Sequence, residues 1–169
     1  MKVRQQGNGP EPRAPWDEIV PGLWMGGHYW DGPAGEALPA VVHDEFDLVV
    51  SLFTRPGHGP SPDVEHLVGE IPDDPLNAEQ LATVQELAEA VARAVRAGRV
   101  TLVRCSAGYN RSGLVVAQAL VELGHVPAEA IGLVRRKRSA QALNNATFEG
   151  YLTAGLETAR LLTDLDAPA

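Results

Sequence analysis

One passage constrains the chain more than any other: an apolar strand, a short loop holding the only cysteine, and a helix. Val100 to Val103 (Val-Thr-Leu-Val) reads as a strand buried on both faces. It runs into Cys105-Ser-Ala-Gly-Tyr-Asn-Arg111, and the apolar run Leu114 to Leu123 follows, ending at Gly124. A strand-to-helix loop of this kind turns its backbone N–H groups inward as an anion nest, and the helix N-terminus adds partial positive charge. Both favour Cys105 as the nucleophilic thiolate. Gly108 lets the loop bend where a Cβ would clash. Arg111 offers a planar fork of donors that matches two equatorial oxygens of a phosphate. Ser112 can donate a hydrogen bond to the sulfur and help it leave in a second step. Together with Ser106, Ala107, Tyr109 and Asn110 these residues form a phosphate cradle with a nucleophile at its floor. A lone cysteine is more often an inert core residue, but the conjunction of strand, Gly108, Ser112 and helix argues against that here.

The rest of the chain alternates strand-like and helix-like stretches. Ile19-Val20 and Leu23-Trp24-Met25 flank Pro21-Gly22 and predict a tight β element. Leu48 to Phe53 reads as a second buried strand, and 66–71 as another. Thr54 to Asp63 is a loop. Leu81, Val84, Ala88, Val91 and Val95 recur at helical spacing, with Gly98 at the expected C-terminal stop. Pro127 suits the first turn of a helix reaching toward Arg135, and Phe148 to Leu162 reads as one last helix. The pattern predicts an α/β fold: a central, largely parallel sheet flanked by helices. Residues 1–15 read as a disordered arm, 16–163 as a single domain and 164–169 as a frayed tail.

The 169 residues suit one domain, large enough to need no metal or disulfide staple. Fourteen Lys and Arg against 22 Asp and Glu give a net charge of −8, which disfavours general binding to nucleic acid or to anionic membrane. No apolar run is long enough to span a membrane, and the N-terminus lacks a signal-peptide core. A single cysteine forms no internal disulfide and fits a reducing cytoplasm.

On these residues the chain resembles the cysteine-dependent protein phosphatases, of the compact dual-specificity and tyrosine type found in bacteria. That family carries His-Cys-(x)5-Arg-Ser/Thr on the same strand, loop and helix. The resemblance extends to Ile19 to Gly27, to Phe46 to Leu52, and to Arg135 to Arg138 with Asn145 and Phe148, so it covers roughly the whole domain. It implies a phosphocysteine intermediate on Cys105 and no cofactor. It also implies a phosphorylated protein or peptide as substrate (phosphotyrosine first, phosphoserine or phosphothreonine next) and a monomer. The leaving oxygen of a phosphate ester needs a proton, which a nearby carboxylic acid can supply before acting as base on the attacking water. The family places that acid about thirty residues before the cysteine, where Ile71-Pro72-Asp73-Asp74-Pro75 stands. Its bacterial pattern selects Asp73, with Asp74 as the alternative. Helix capping or a proline turn is the competing role for both.

One departure stands out. Arg104 occupies the place of the family's His before the nucleophile. Neighbouring strand residues point to opposite sides, so Arg104 serves the structure or meets solvent, and its charge can still favour the thiolate. The five histidines show no metal-ligand spacing, and His28 reads as a surface or core residue. The basic run Arg135 to Arg138 reads as a solvated helix C-terminus, and Asn144 and Asn145 as caps of the last helix. Three rival functions remain: a phospho-binding module without turnover, suggested by Arg104, an RNA 5′-triphosphatase-like activity, suggested by Gly108-Tyr109-Asn110-Arg111, and, third, a redox sensor built on Cys105.

Overall fold

Thr101–Arg104 (β7) is the middle strand of a five-stranded sheet, and all four of its residues are buried. The computed structural model describes residues 12–166. Beside β7 lie Leu48–Ser51 (β5), also buried throughout, and Leu23–Gly26 (β2), both parallel to it. Glu65–Val68 (β6) adds to β5 in parallel, and Trp16–Val20 (β1) closes the other edge antiparallel to β2. The order is β1-β2-β7-β5-β6. The uninterrupted apolar runs therefore became the inner parallel strands, where both faces are covered. Gly22, at φ +84°, makes the β1–β2 turn. A separate two-stranded ribbon, Tyr29–Asp31 (β3) with Ala37–Pro39 (β4), was not legible as strands, because each is only three residues long.

Alternation along the strands sorts the core onto two faces. Leu23, Met25, Leu48, Val50 and Val103 face the helices and share one cluster with their apolar stripes. These helices are Ala78–Arg96 (α1), Arg111–Glu122 (α2), Pro127–Lys137 (α3), Ala146–Ala154 (α4) and Leu156–Asp166 (α5). Val49 and Leu102 face the other way, against Val42 and Phe46. The edges of Trp16 and Trp24 pack onto Phe46 there. Helices thus cover one face of the sheet and a loop with aromatic residues covers the other.

Local signals set most of the helix ends. Asn77 and Gln80 form a reciprocal capping box at the start of α1, and Gly98 at φ +75° follows its end. Pro127 opens α3, and Asn145 caps α4 by accepting from the Thr147 and Phe148 amides. One expectation needs correction. The last helix is two, because Gly155 at φ +94° ends α4 and turns the chain into α5. α5 continues to Asp166, into the stretch expected to fray. The expected arm lies mostly outside the described residues, but its end is tied down: the Pro12 carbonyl accepts from Asp31 N at 2.9 Å, and that of Pro15 from Gly27 N at 3.4 Å.

Candidate active site

The loop between β7 and α2 is built so that its amides converge. The Ser106 carbonyl accepts from His28 N at 2.8 Å and the Tyr109 carbonyl from Leu143 N at 3.1 Å. Between them, the Ala107 and Gly108 carbonyls accept from the Arg138 guanidinium at 3.4 and 3.3 Å. In a trans peptide the N–H points opposite to the C=O. Four successive carbonyls drawn outward therefore turn the amides of Ala107, Gly108, Tyr109 and Asn110 the other way, as an anion nest requires. Gly108 adopts φ +80°, and a Cβ there would lie 2.6 Å from Arg138 Nη2 and 2.7 Å from the Gly26 backbone, so no larger residue fits. Leu143 itself sits at φ +57°, a costly conformation for a branched side chain. Arg135 holds that turn by donating to the Ala142 and Leu143 carbonyls at 3.1 and 2.9 Å.

Cys105 is buried at the base of this loop, with its Sγ 3.2 Å from Ser112 Oγ. Ser112 is on the first turn of α2, whose N-cap residue Asn110 makes no side-chain capping bond, so the helix N-terminus faces the site without a side-chain acceptor. Arg111 is partly buried, its guanidinium carbon 5.3 Å from the centre of the Phe53 ring and Nη1 3.5 Å from the Ile71 carbonyl. Asp73 is exposed, and both of its carboxylate oxygens accept: Oδ2 from the Asn110 side chain at 3.1 Å, Oδ1 from Asn145 Nδ2 at 2.8 Å. Asp74 is exposed and lies outside this network. The side-chain bonds thus join Cys105 to Ser112 and Asn110 to Asp73, with Arg111 reaching from the same loop toward Ile71 and Phe53, and Asp74 takes part in none of them.

Arg104 does not meet solvent. It is 1% exposed, and its guanidinium donates to Ser51 Oγ at 3.0 Å and to the His58 and Gly59 carbonyls at 2.9 and 2.6 Å. Burial pulls it down to about 10, which still leaves it charged at neutral pH. Its charge braces the loop after β5 on the side of β7 away from the thiol. Beside it, His28 and His58 share a contact between their Nδ1 atoms at 3.1 Å, and His28 Nε2 reaches the Phe53 carbonyl at 2.8 Å. Burial, with the Arg104 and Arg55 charges adding to it, pushes His28 down to about 4 and lowers His58 as well.

The basic run that ends α3 is not wholly a solvated terminus. Arg136 and Lys137 are exposed, but Arg135 and Arg138 turn inward onto the two loops. A signal for Arg138 was present, since it falls four residues beyond buried Val134 on the inner stripe of α3. No sequence pattern marked the Asn110–Asp73–Asn145 link. Among the described residues no cluster of side chains is arranged to hold a metal ion.

No protein-family model matches the chain, and no curated protein matches it. Solved structures do. The chain is similar to human DUSP28, at 28% identity and a TM-score of 0.67 over 90% of this chain and 99% of that one. It is similar to Tk-PTP in its active form, at 26% identity and a TM-score of 0.56 over 89% and 97%. A mouse putative dual specificity phosphatase complexed with zinc tungstate shares the fold, at 24% identity and a TM-score of 0.64 over 97% and 96%.

Proposed function

We propose that this chain, whose fold is that of the cysteine-dependent dual-specificity and tyrosine phosphatases, hydrolyses phosphomonoesters through a phosphocysteine on Cys105. The observation that carries this reading is the pairing of a buried thiol, 3.2 Å from Ser112 Oγ, with a loop whose four outward carbonyls leave four amides aimed at an anion. The Cys105 thiolate attacks phosphorus in line, forming the S–P bond as the ester P–O bond breaks. Arg111 and the loop amides hold the equatorial oxygens while charge shifts toward them. Asp73 gives its proton to the leaving oxygen, then takes one from the water that attacks the phosphocysteine. Phosphate departs and the thiolate is restored, stabilised by a hydrogen bond from Ser112. Thiolate, guanidinium and carboxyl supply nucleophile, charge and proton, so the reaction calls for no metal or organic cofactor.

The half-buried Phe53 ring beside Arg111 favours an aryl ester, since it offers an edge or face against which a phosphotyrosine ring can pack. The substrate we assign is phosphotyrosine in a protein or peptide, with phosphoserine and phosphothreonine second. A reactive thiol without a resolving partner works in a reducing compartment, which supports a cytoplasmic setting.

Hydrolysis of para-nitrophenyl phosphate and of a phosphotyrosine peptide, by wild type and by Cys105→Ser, Asp73→Ala and Asp74→Ala, tests this reading. Turnover abolished in Cys105→Ser, and cut on the peptide by Asp73→Ala but not by Asp74→Ala, is expected. A wild type that binds orthovanadate yet turns over neither substrate would instead be a phospho-binding module.

A further inference from the structure

Of the four carbonyls drawn out of the phosphate loop, two are held by backbone N–H groups and two by one side chain, Arg138. The Arg138 side chain is 0% exposed. Its Nη1 is occupied on the far side, by Asp17 Oδ2 at 2.8 Å and the Ala14 carbonyl at 2.9 Å. Those two partners, from β1 and the segment before it, orient the guanidinium. Nε and Nη2 are left to face Gly108 and Ala107. The approach is close enough that only glycine fits at 108, because a Cβ would meet Nη2 at 2.6 Å. Two features of the chain thus answer each other across 30 residues: a glycine without a side chain and an arginine filling the space.

A buried cation with one carboxylate needs further acceptors for its remaining N–H groups, and here it finds them in the loop carbonyls. The consequence for the site follows from peptide planarity. The Ala107 carbonyl belongs to the same rigid unit as the Gly108 amide, and the Gly108 carbonyl to that of the Tyr109 amide. Holding the two oxygens outward fixes the direction of the two N–H groups. It also polarises both peptide units so that their N–H ends are more positive.

We propose that Arg138 is a positioning residue of the phosphate loop: oriented by Asp17, it aims the Gly108 and Tyr109 amides at the phosphoryl oxygens without touching substrate itself. This rests on the reading of the loop as an oxyanion site. It gives the last residue of the basic run a role in transition-state binding, exerted from the back of the loop. It also makes the N-terminal strand part of the catalytic architecture, through Asp17.

The test compares Arg138→Met, Arg138→Lys and Asp17→Asn with Val134→Ala, which weakens the same helix without touching the loop carbonyls. Orthovanadate affinity and the kcat and KM for a phosphotyrosine peptide are measured on folded protein, with melting temperature as the index of stability. Arg138→Met is expected to weaken orthovanadate binding and lower kcat in parallel by about tenfold or more, as loss of preorganised donors does. KM should change less. Arg138→Lys should recover part of both, and Val134→Ala should lose stability with neither effect. If Arg138→Met melts lower but binds orthovanadate as wild type does, Arg138 is only a structural brace and the inference is overturned. Should Arg138→Met not fold, Asp17→Asn decides: orthovanadate affinity reduced at equal folded fraction supports the inference, and unchanged affinity overturns it. A folded wild type that fails to bind orthovanadate at all would defeat the phosphatase reading, and the role of Arg138 with it.

Discussion

Asn110 ties the phosphate loop to the carboxylate of Asp73, donating from its side chain to Oδ2 at 3.1 Å. The same amide donates to Asn144 Oδ1 at 2.9 Å, and its oxygen accepts from Asn145 N at 3.0 Å. Asn145 then returns to Asp73 Oδ1 at 2.8 Å. Three segments far apart in the chain meet in this ring of amides: the residues before α1, the end of the phosphate loop and the start of α4. The acid proposed for the reaction is held by its neighbours even though it is exposed.

Asn110→Ala should therefore cost rate by loosening Asp73 more than by weakening phosphate binding. We expect kcat on a phosphotyrosine peptide to fall about tenfold, the worth of one hydrogen bond to a charged group. On para-nitrophenyl phosphate, whose leaving group needs little protonation, the loss should be smaller. Comparing the two ratios checks the link, and equal losses on both substrates would count against it.

Ser112→Ala removes the hydroxyl 3.2 Å from Cys105 Sγ. A hydrogen bond to a charged sulfur is worth about 1.5–3 kcal/mol, so departure of the thiolate in the second step should slow by about ten- to a hundredfold. Formation of the phosphocysteine should be affected less. Rapid-quench measurement should then show a burst of para-nitrophenol and a trapped phosphoenzyme. Absence of both would remove Ser112 from that step.

Arg104→Met is expected to destabilise the domain by about 3 kcal/mol or more, because several buried acceptors lose their donor at once. Those acceptors are Ser51 Oγ and the carbonyls of His58 and Gly59. Arg104→His should not restore stability, since an imidazole has too few donors and too short a reach for all of them. Urea denaturation curves of the three proteins give the comparison. Wild-type stability in either variant would show that the loop after β5 stands without this brace.

The buried His28–His58 pair predicts a pH dependence of stability. His28 titrates at about 4 in the fold, and His58 is lowered too, whereas an unfolded histidine titrates near 6.5. The unfolded chain therefore binds protons first as pH falls, so this stabilisation is complete above about pH 6.5 and is lost progressively toward about pH 4. Melting temperatures across that range should fall for wild type. The fall should be shallower in His28→Gln, which removes one titrating group, and an equal slope in both would dismiss His28 as a contributor.

What was legible in the sequence was local. The uninterrupted apolar runs became β5 and β7, the buried inner strands, and Cys105 through Ser112 lead from the end of β7 into the first turn of α2 because the chain is contiguous there. Gly98, Pro127 and Asn145 act at helix ends through their own backbone or a bond to the next turn, so their residue types were enough. Even Gly155 was readable in principle, as a glycine inside an apolar helical pattern, though the pattern itself masked the break.

The long-range electrostatics were decided only by the tertiary structure. Charge and polarity say that Arg104, Arg138, His28 and Asn110 need partners, but not which ones. Each found them some 25 to 120 residues away: Arg104 on the His58 carbonyl, His28 on that of Phe53, Asn110 on Asp73 and Arg138 on Asp17. A basic run has the same composition whether it faces water or a loop of carbonyls. Sequence alone determined that this chain carries its thiol in a loop between a buried strand of a largely parallel sheet and a helix. Packing decided how that loop is held, because a buried donor must take whichever acceptor the fold brings within reach.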